Sequence, residues 1–290
     1  MDVSEGPITS LVHRSLARVI QLAPPARGQF GPQHTVVEVL RPEAWAEQDP
    51  FILLMDDRID GLALAGPHPH AGFETVTFPL EGGMESEGGA GRLRPGDVEW
   101  TTAGSGIVHG PERPIEGHFR ILQLWLTLPK QDRWTTPDNQ IVAGDTVPIR
   151  REAGVEIRLY SGSTGALTSP TRNRVPVTLL DVRLEPGARV EQTLPASYNG
   201  FLYVLDGEAR VGADHAALRP TQVGWLDSPA VTGDSVVTLA NEGSEPMRLL
   251  FYAGERQGVP IVSYGPFIGD TREDIVRSFE QYRAGTFRRV

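Results

Sequence analysis

The chain has 290 residues, 39% of them hydrophobic, enough for one large or two ordinary domains, each with a real core. It carries 37 acidic against 27 basic side chains, a formal charge of -10, and no basic run that could track phosphates, so direct nucleic-acid binding is not expected. Cysteine is absent, which removes disulfides and thiolate chemistry and leaves only nitrogen and oxygen donors for any metal.

The N-terminal stretch MDVSEGPITSLVHRSLARV has no continuous apolar segment ending in a small-residue cleavage site, and no later stretch approaches a membrane span. The expectation is a soluble, cytoplasmic protein with no membrane partner. HTVVEVL at 34–40 alternates as a strand, and a short turn of helix can follow at 43–48. DPFILLMDD at 49–57 is an apolar run between charges, the pattern of a strand buried on both faces. Next comes PHPHAGFETVTFPLEG, 67–82. Here His68 and His70 leave an extended backbone on the same face, because side chains repeat every two residues. Gly72 allows a bend, and Phe73, Thr75 and Thr77 alternate with Glu74, Val76 and Phe78 as in a half-buried strand.

ESEGGAG at 85–91 reads as a turn, and LRPGDVEW supplies a Pro-Gly-Asp turn before another short strand. TTAGSGIVHGPE then brings His109, with the carboxylate of Glu112 close behind. Two imidazoles at i and i+2, a third from a second strand and a nearby carboxylate make a candidate metal site. A lone histidine among β-formers is usually a packing residue, and His34 and His215 are read that way. FRILQLWLTL at 119–128 is a strong strand. The polar, turn-rich stretch 129–149 reads as an irregular connection, which places a domain boundary near 140.

Beyond it the chain repeats. A shift of 125 positions places Leu80, Gly82, Leu93, Arg94, Pro95, Val98, Trp100 and Leu124 on Leu205, Gly207, Leu218, Arg219, Pro220, Val223, Trp225 and Leu249. The same shift sends His68, His70, Glu74 and His109 to Thr193, Pro195, Asn199 and Asp234, so only the first copy should hold metal. Short strands with many turn formers predict an all-β protein of two sandwiches or barrels, 1–140 and 141–290. The tail differs. Asp270 or Thr271 can cap a helix that presents Ile275, Phe279 and Tyr282 along one face and ends at Gly285.

HPHAGFETVTFPLEG, RPGDVEWTTAGSGIVH and DPFILLMDD, with LDVRLEPGA, YVLDGEARVG and YGPFIGDTRE in the second half, closely resemble the pirin family of bicupins. The resemblance spans most of the chain and implies two tandem cupin jelly-roll barrels. It also implies one iron in the first barrel, held by three histidines and a glutamate, and a second barrel that has lost its site. By position the ligands are His68, His70 and His109. The family's glutamate follows the last histidine by two residues, whereas here Gly110 and Pro111 intervene and Glu112 is three on. Glu112 is the favoured fourth ligand and the candidate catalytic base, and Glu74 is the alternative.

Such a site leaves positions open on one divalent metal per chain. Fe(II) comes first from the resemblance, and Zn, Ni, Mn, Co or Cu suit the same donors. The resemblance implies a quercetinase-like dioxygenase acting on a small aromatic flavonol with dioxygen. In the alternative it implies an iron-bearing, redox-sensing adaptor or transcriptional cofactor that works through a protein partner. Phe51, Leu53, Val76, Phe78, Val108 and Leu124 are candidate pocket walls or ordinary core.

Overall fold

The computed structural model describes residues 11–63, 66–86, 91–110 and 115–289. β-Formers dominate, and long-range antiparallel pairing builds two barrels of similar plan. The larger sheet of the first runs Asp138–Val142, Val98–Thr102, Phe73–Glu81, Ile115–Thr127, Phe51–Ala63, His34–Leu40 and Ala26–Arg27. The larger sheet of the second runs Ile149–Glu152, Val155–Ser161, Val177–Leu184, Met247–Glu255, Tyr198–Asp206, Gln222–Leu226 and Leu16–Gln21. Smaller sheets close each barrel on its outer side: His68–His70 with Ile107–His109 and Arg288–Arg289 in the first, and one built on Asp234–Ala240 in the second.

The two larger sheets face each other. Val76, Phe78, Trp100, Leu122 and Leu124 of the first pack against Phe201, Tyr203, Trp225, Leu250 and Tyr252 of the second in one continuous apolar cluster. Phe51 meets Phe201 edge-on with ring centroids 5.0 Å apart. Each such buried aromatic contributes about 1.5–3 kcal/mol by leaving water. This packing corrects the half-buried reading of Phe73–Glu81, whose residues are buried on both faces as far as Leu80. One face looks into the barrel and the other into the second sheet.

The repeat is real but its offset drifts. Val76 pairs with Trp100, and Phe201 pairs with Trp225, as the shift of 125 requires. Beyond that point the second copy carries extra residues in a connection, where insertions cost little. His109 lies opposite His68, whereas Thr193 lies opposite Val236. Val236, and not Asp234, is therefore the counterpart of His109. Likewise Leu124 lies opposite Val76 and Tyr252 opposite Phe201, so the counterpart of Leu124 is Tyr252 rather than Leu249.

Pairing also crosses the midpoint of the chain. The stretch 129–149 is not irregular throughout, since Asp138–Val142 pairs with Val98–Thr102 and edges the first barrel's sheet. Val12–Arg14 and Leu16–Gln21 pair with strands of the second half, while Arg288–Arg289 returns to Ile107–His109. A division at residue 140 would separate the repeats and cut the strand Asp138–Val142. The C-terminal helix Arg272–Arg283 starts as read: Thr271 and Asp274 form a capping box, each side chain accepting the other's backbone N–H.

Candidate metal centre

His68–His70 and Ile107–His109 form a short antiparallel ladder. Because His68 and His70 share a face and His109 sits directly across from His68, the three rings meet without any unusual backbone. Their centroids are 4.7–4.8 Å apart in every pair, and their donor atoms lie within 4.8 Å of one another. His70 and His109 are buried and His68 is half-buried.

Backbone carbonyls orient two of the rings. Nδ1 of His68 is 3.0 Å from the Gly66 carbonyl, and Nδ1 of His70 is 3.4 Å from that of Pro266. With Nδ1 donating, each Nε2 presents a lone pair to the centre, the arrangement a metal-binding histidine needs. Burial holds His70 well below the usual imidazole range, with His109 and His68 adding to it. Burial also pushes His109 down to about 3, helped by His68 and opposed by the charge of Glu99. Desolvation keeps His70 and His109 neutral and ready to bind a cation, and with His68 beside them the group fits a divalent metal.

Arg133 and the C-terminal part of the chain support this centre. Phe267 bridges to Ala71, and the Ile268 N–H donates to the Ala71 carbonyl. The fully buried Arg133 donates to the Gly72 carbonyl and pairs with Asp270 at 2.7 Å. Gly72 has a φ of 85°, and a Cβ there would fall 1.9 Å from the Ile268 carbonyl oxygen. Only glycine fits where the tail crosses the histidine strand. Pro266, from the segment YGPFIG, thus fixes the ring of a histidine 196 positions earlier.

Of the two carboxylates considered, Glu112 lies outside the described residues. Glu74 is placed, and not at the centre. Strand alternation turns it away from the face of Phe73, Thr75 and Thr77. There it is buried, accepting hydrogen bonds from Trp100 Nε1 at 3.1 Å and Thr102 Oγ1 at 2.7 Å. Burial raises its pKa against those bonds. Among the described residues no carboxylate joins the three imidazoles.

The rings of His68 and His70 border a cavity of about 870 Å³ inside the first barrel. Of the expected walls only Leu53 lines it. Phe51, Val76, Phe78 and Leu124 belong to the core between the barrels, and Val108 packs near Phe267 under the C-terminal helix. The walls instead include Met55, Ile59, Ile121 and Trp125, with Thr77 and Gln123 as polar members. Trp125 stands 5.2 Å from His70 and 4.2 Å from Phe73, centroid to centroid. Two polar features were missed in the sequence. His34 meets Asp57 on the cavity wall, and the buried Glu99 accepts from Ser86 and Asn139.

Comparison with known proteins agrees with this architecture. A model described as Pirin matches residues 32–126, and one described as Pirin C-terminal cupin domain matches 179–288. Pirin-like protein 2 of Arabidopsis thaliana is 35% identical over 82% of this chain and 75% of its own length. A crystal structure of a Geobacillus kaustophilus protein superposes with a TM-score of 0.76 at 36% identity, covering 87% of this chain and all of that one. A quercetin 2,3-dioxygenase of Acinetobacter baumannii superposes with a TM-score of 0.80 at 25% identity, covering 94% of this chain and 98% of that one. With both halves matched by pirin models and a curated relative at this identity, the chain belongs to the pirin family of two-barrel cupins.

Proposed function

We propose that the protein is a metal-dependent dioxygenase acting on a flavonol-like substrate. The observation that carries this reading is the convergence of three imidazoles, two of which border a largely apolar cavity of about 870 Å³. The likeness to a quercetin 2,3-dioxygenase along nearly the whole chain supports it. His68, His70, His109 and Glu112 would hold one divalent metal per chain, with Fe(II) first among the ions such donors accept. When bound, that metal supplies a Lewis acid and an electron relay between an enediol and dioxygen.

The chain's own residues do the rest. Trp125, packed on His70 and Phe73, offers a flat wall beside the centre on which an aromatic ring can lie. Met55, Ile59 and Ile121 keep water from the remainder of the substrate. Glu112 is the proposed acceptor of the substrate's hydroxyl proton, which places charge on the oxygen that chelates.

The test is oxygen uptake with quercetin after reconstitution with iron(II) under anaerobic conditions. Stoichiometric loss of flavonol and dioxygen is expected, and none with metal-free protein. Glu112→Gln should weaken metal about 10–100-fold and stop turnover. Metal-replete protein that leaves quercetin untouched would overturn the reading. A Glu112→Gln variant with full affinity and turnover would overturn only the carboxylate assignment.

A further inference from the structure

The same cavity carries, away from the histidines, a pair that the metal centre does not use. His34 is buried at 2% exposure, and its Nε2 lies 2.7 Å from Asp57 Oδ1. The backbone N–H of Phe30 donates to His34 Nδ1 at 3.2 Å, and the Phe30 ring stacks on the imidazole at 4.9 Å. With Nδ1 occupied as an acceptor, the ring proton sits on Nε2 and is donated to Asp57. His34 is thus a brace on the carboxylate, with both nitrogens engaged. Among the described residues no hydrogen bond reaches Asp57 Oδ2, and Asp57 lines the cavity.

The strand register locates this carboxylate relative to the metal centre. Leu53 pairs with Trp125, the residue that touches His70, and Asp57 is four residues further along the same strand. At about 3.3 Å per residue that is roughly 13 Å, a span for a molecule of several rings rather than one. Its ladder neighbours Val36 and Ile121 are apolar and line the cavity with it. Arg27 and Glu38 also border the cavity, and neither is paired to Asp57 among the described residues. A carboxylate only accepts, so in an apolar wall it favours a ligand that brings a hydroxyl and disfavours one that brings bare hydrocarbon or an anion.

We infer that Asp57, braced by His34, is a specificity-determining acceptor for a phenolic hydroxyl at the end of the substrate remote from the metal. The inference rests on the flavonol reading above. The cavity then selects multi-ring phenols that carry a chelating pair at one end and a hydrogen-bond donor at the other.

Two probes separate the two readings: quercetin, and 3-hydroxyflavone, which keeps the chelating pair but lacks the remote hydroxyls. Dissociation constants would be measured by tryptophan fluorescence for metal-free and anaerobic iron(II)-loaded protein. Wild type should prefer quercetin by about tenfold, the worth of a hydrogen bond to a charged group at its lower end. Asp57→Asn should bring the ratio close to one. Asp57→Leu should reverse it, with 3-hydroxyflavone bound more tightly than by wild type; general damage to the fold weakens both probes and cannot produce that crossing. His34→Phe, which keeps the stack on Phe30 and removes the donor, should lose part of the preference while leaving 3-hydroxyflavone unaffected. An unchanged preference in both Asp57 variants overturns this inference and leaves the flavonol reading intact. Failure of both probes to bind wild type overturns both.

Discussion

The two barrels share a frame and differ in what fills it. Arg120 grips Asp56 through Nε and Nη2 at 3.0 and 2.9 Å, and Arg248 grips Asp181 through the same atoms at the same distances. The face between the barrels is equally matched, with Trp100 and Trp225 at equivalent ladder positions. Inside, the correspondence ends. The row Met55, Gln123, Thr77 and Glu99 of the first barrel answers to Leu180, Phe251, Leu202 and Gly224 of the second. Asp57 answers to Val182, and His68, His70 and His109 answer to Thr193, Pro195 and Val236. One interior is filled mainly by packed aliphatic side chains, and the other holds a cavity with polar groups among its walls. The frame is thus specified by the outer ladder and the shared face, which leaves one interior free for chemistry.

The largest expected effect breaks that asymmetry at its centre. His70→Ala should abolish metal retention while both barrels stay folded, because the second barrel forms the same sheets with Pro195 at that place. Elemental analysis of wild type should give one ion per chain. Two ions, or a variant that loses its β-sheet signal, would mean that the comparison between the barrels is wrong.

Much of this contrast was readable beforehand. His-x-His needs only the two-residue period to put both rings on one face, and LRPxxVxW recurs because Val98, Trp100, Val223 and Trp225 all meet in the shared core. What could not be read was which face of each strand looks inward, since both faces of Phe73–Glu81 are buried and hydrophobic alternation is lost. That is why Val76 and Phe78 were candidates for the cavity, and why Glu74 stayed a possible ligand. Nor does spacing reveal a contact such as Pro266 with His70, which depends on the tail folding back across the first barrel.

Next in size is a comparison of the two fillings. Phe251→Ala removes a fully buried ring from the solid barrel and should cost about 3–5 kcal/mol, the usual range for such a truncation. Gln123→Ala, at the matching ladder position, enlarges an existing cavity and gives up hydrogen bonds with Thr77 and Thr75, so about 1 kcal/mol is expected. Denaturant midpoints measure both. Equal losses would show that the first barrel is as tightly filled as the second.

Acid should weaken the first barrel through its buried histidines. In the folded state His109 is held down at about 3 by burial, while the unfolded chain takes up its proton near 6.5. The stability tied to a neutral His109 is therefore complete above pH 6.5 and is lost as pH falls from there toward 3, by about 1.4 kcal/mol per unit. Metal-free protein should be weakened by roughly 2 kcal/mol between pH 6.5 and 5 from this residue, and His70 acts in the same direction. His109→Asn should flatten the slope. The second half has only the exposed His215, so a slope that survives in that variant and in His70→Ala would point to carboxylates instead.

The smallest effect distinguishes Glu74 from a ligand. It lies on the face between the barrels, and its counterpart Asn199 lies on the same face of the second barrel, where it donates to the Glu47 and Asp49 carbonyls of the first. Both are polar residues tying one barrel to its neighbour. Trp100 and Thr102 donate to separate oxygens of Glu74, so Glu74→Gln keeps an acceptor for only one of them, but it leaves the histidines untouched, and metal content and any turnover should not change. Burial raises the Glu74 pKa above its ordinary value of 4.5, so the wild-type carboxyl loses stability as pH rises from 4.5 through its folded pKa. An amide has no such term. The variant, which gives up one of the two bonds, should be less stable than wild type near pH 4, and that deficit should shrink as pH rises through the folded pKa, as read from denaturant midpoints. Loss of metal in Glu74→Gln would place the carboxylate at the histidines after all, against the strand alternation that turns it away.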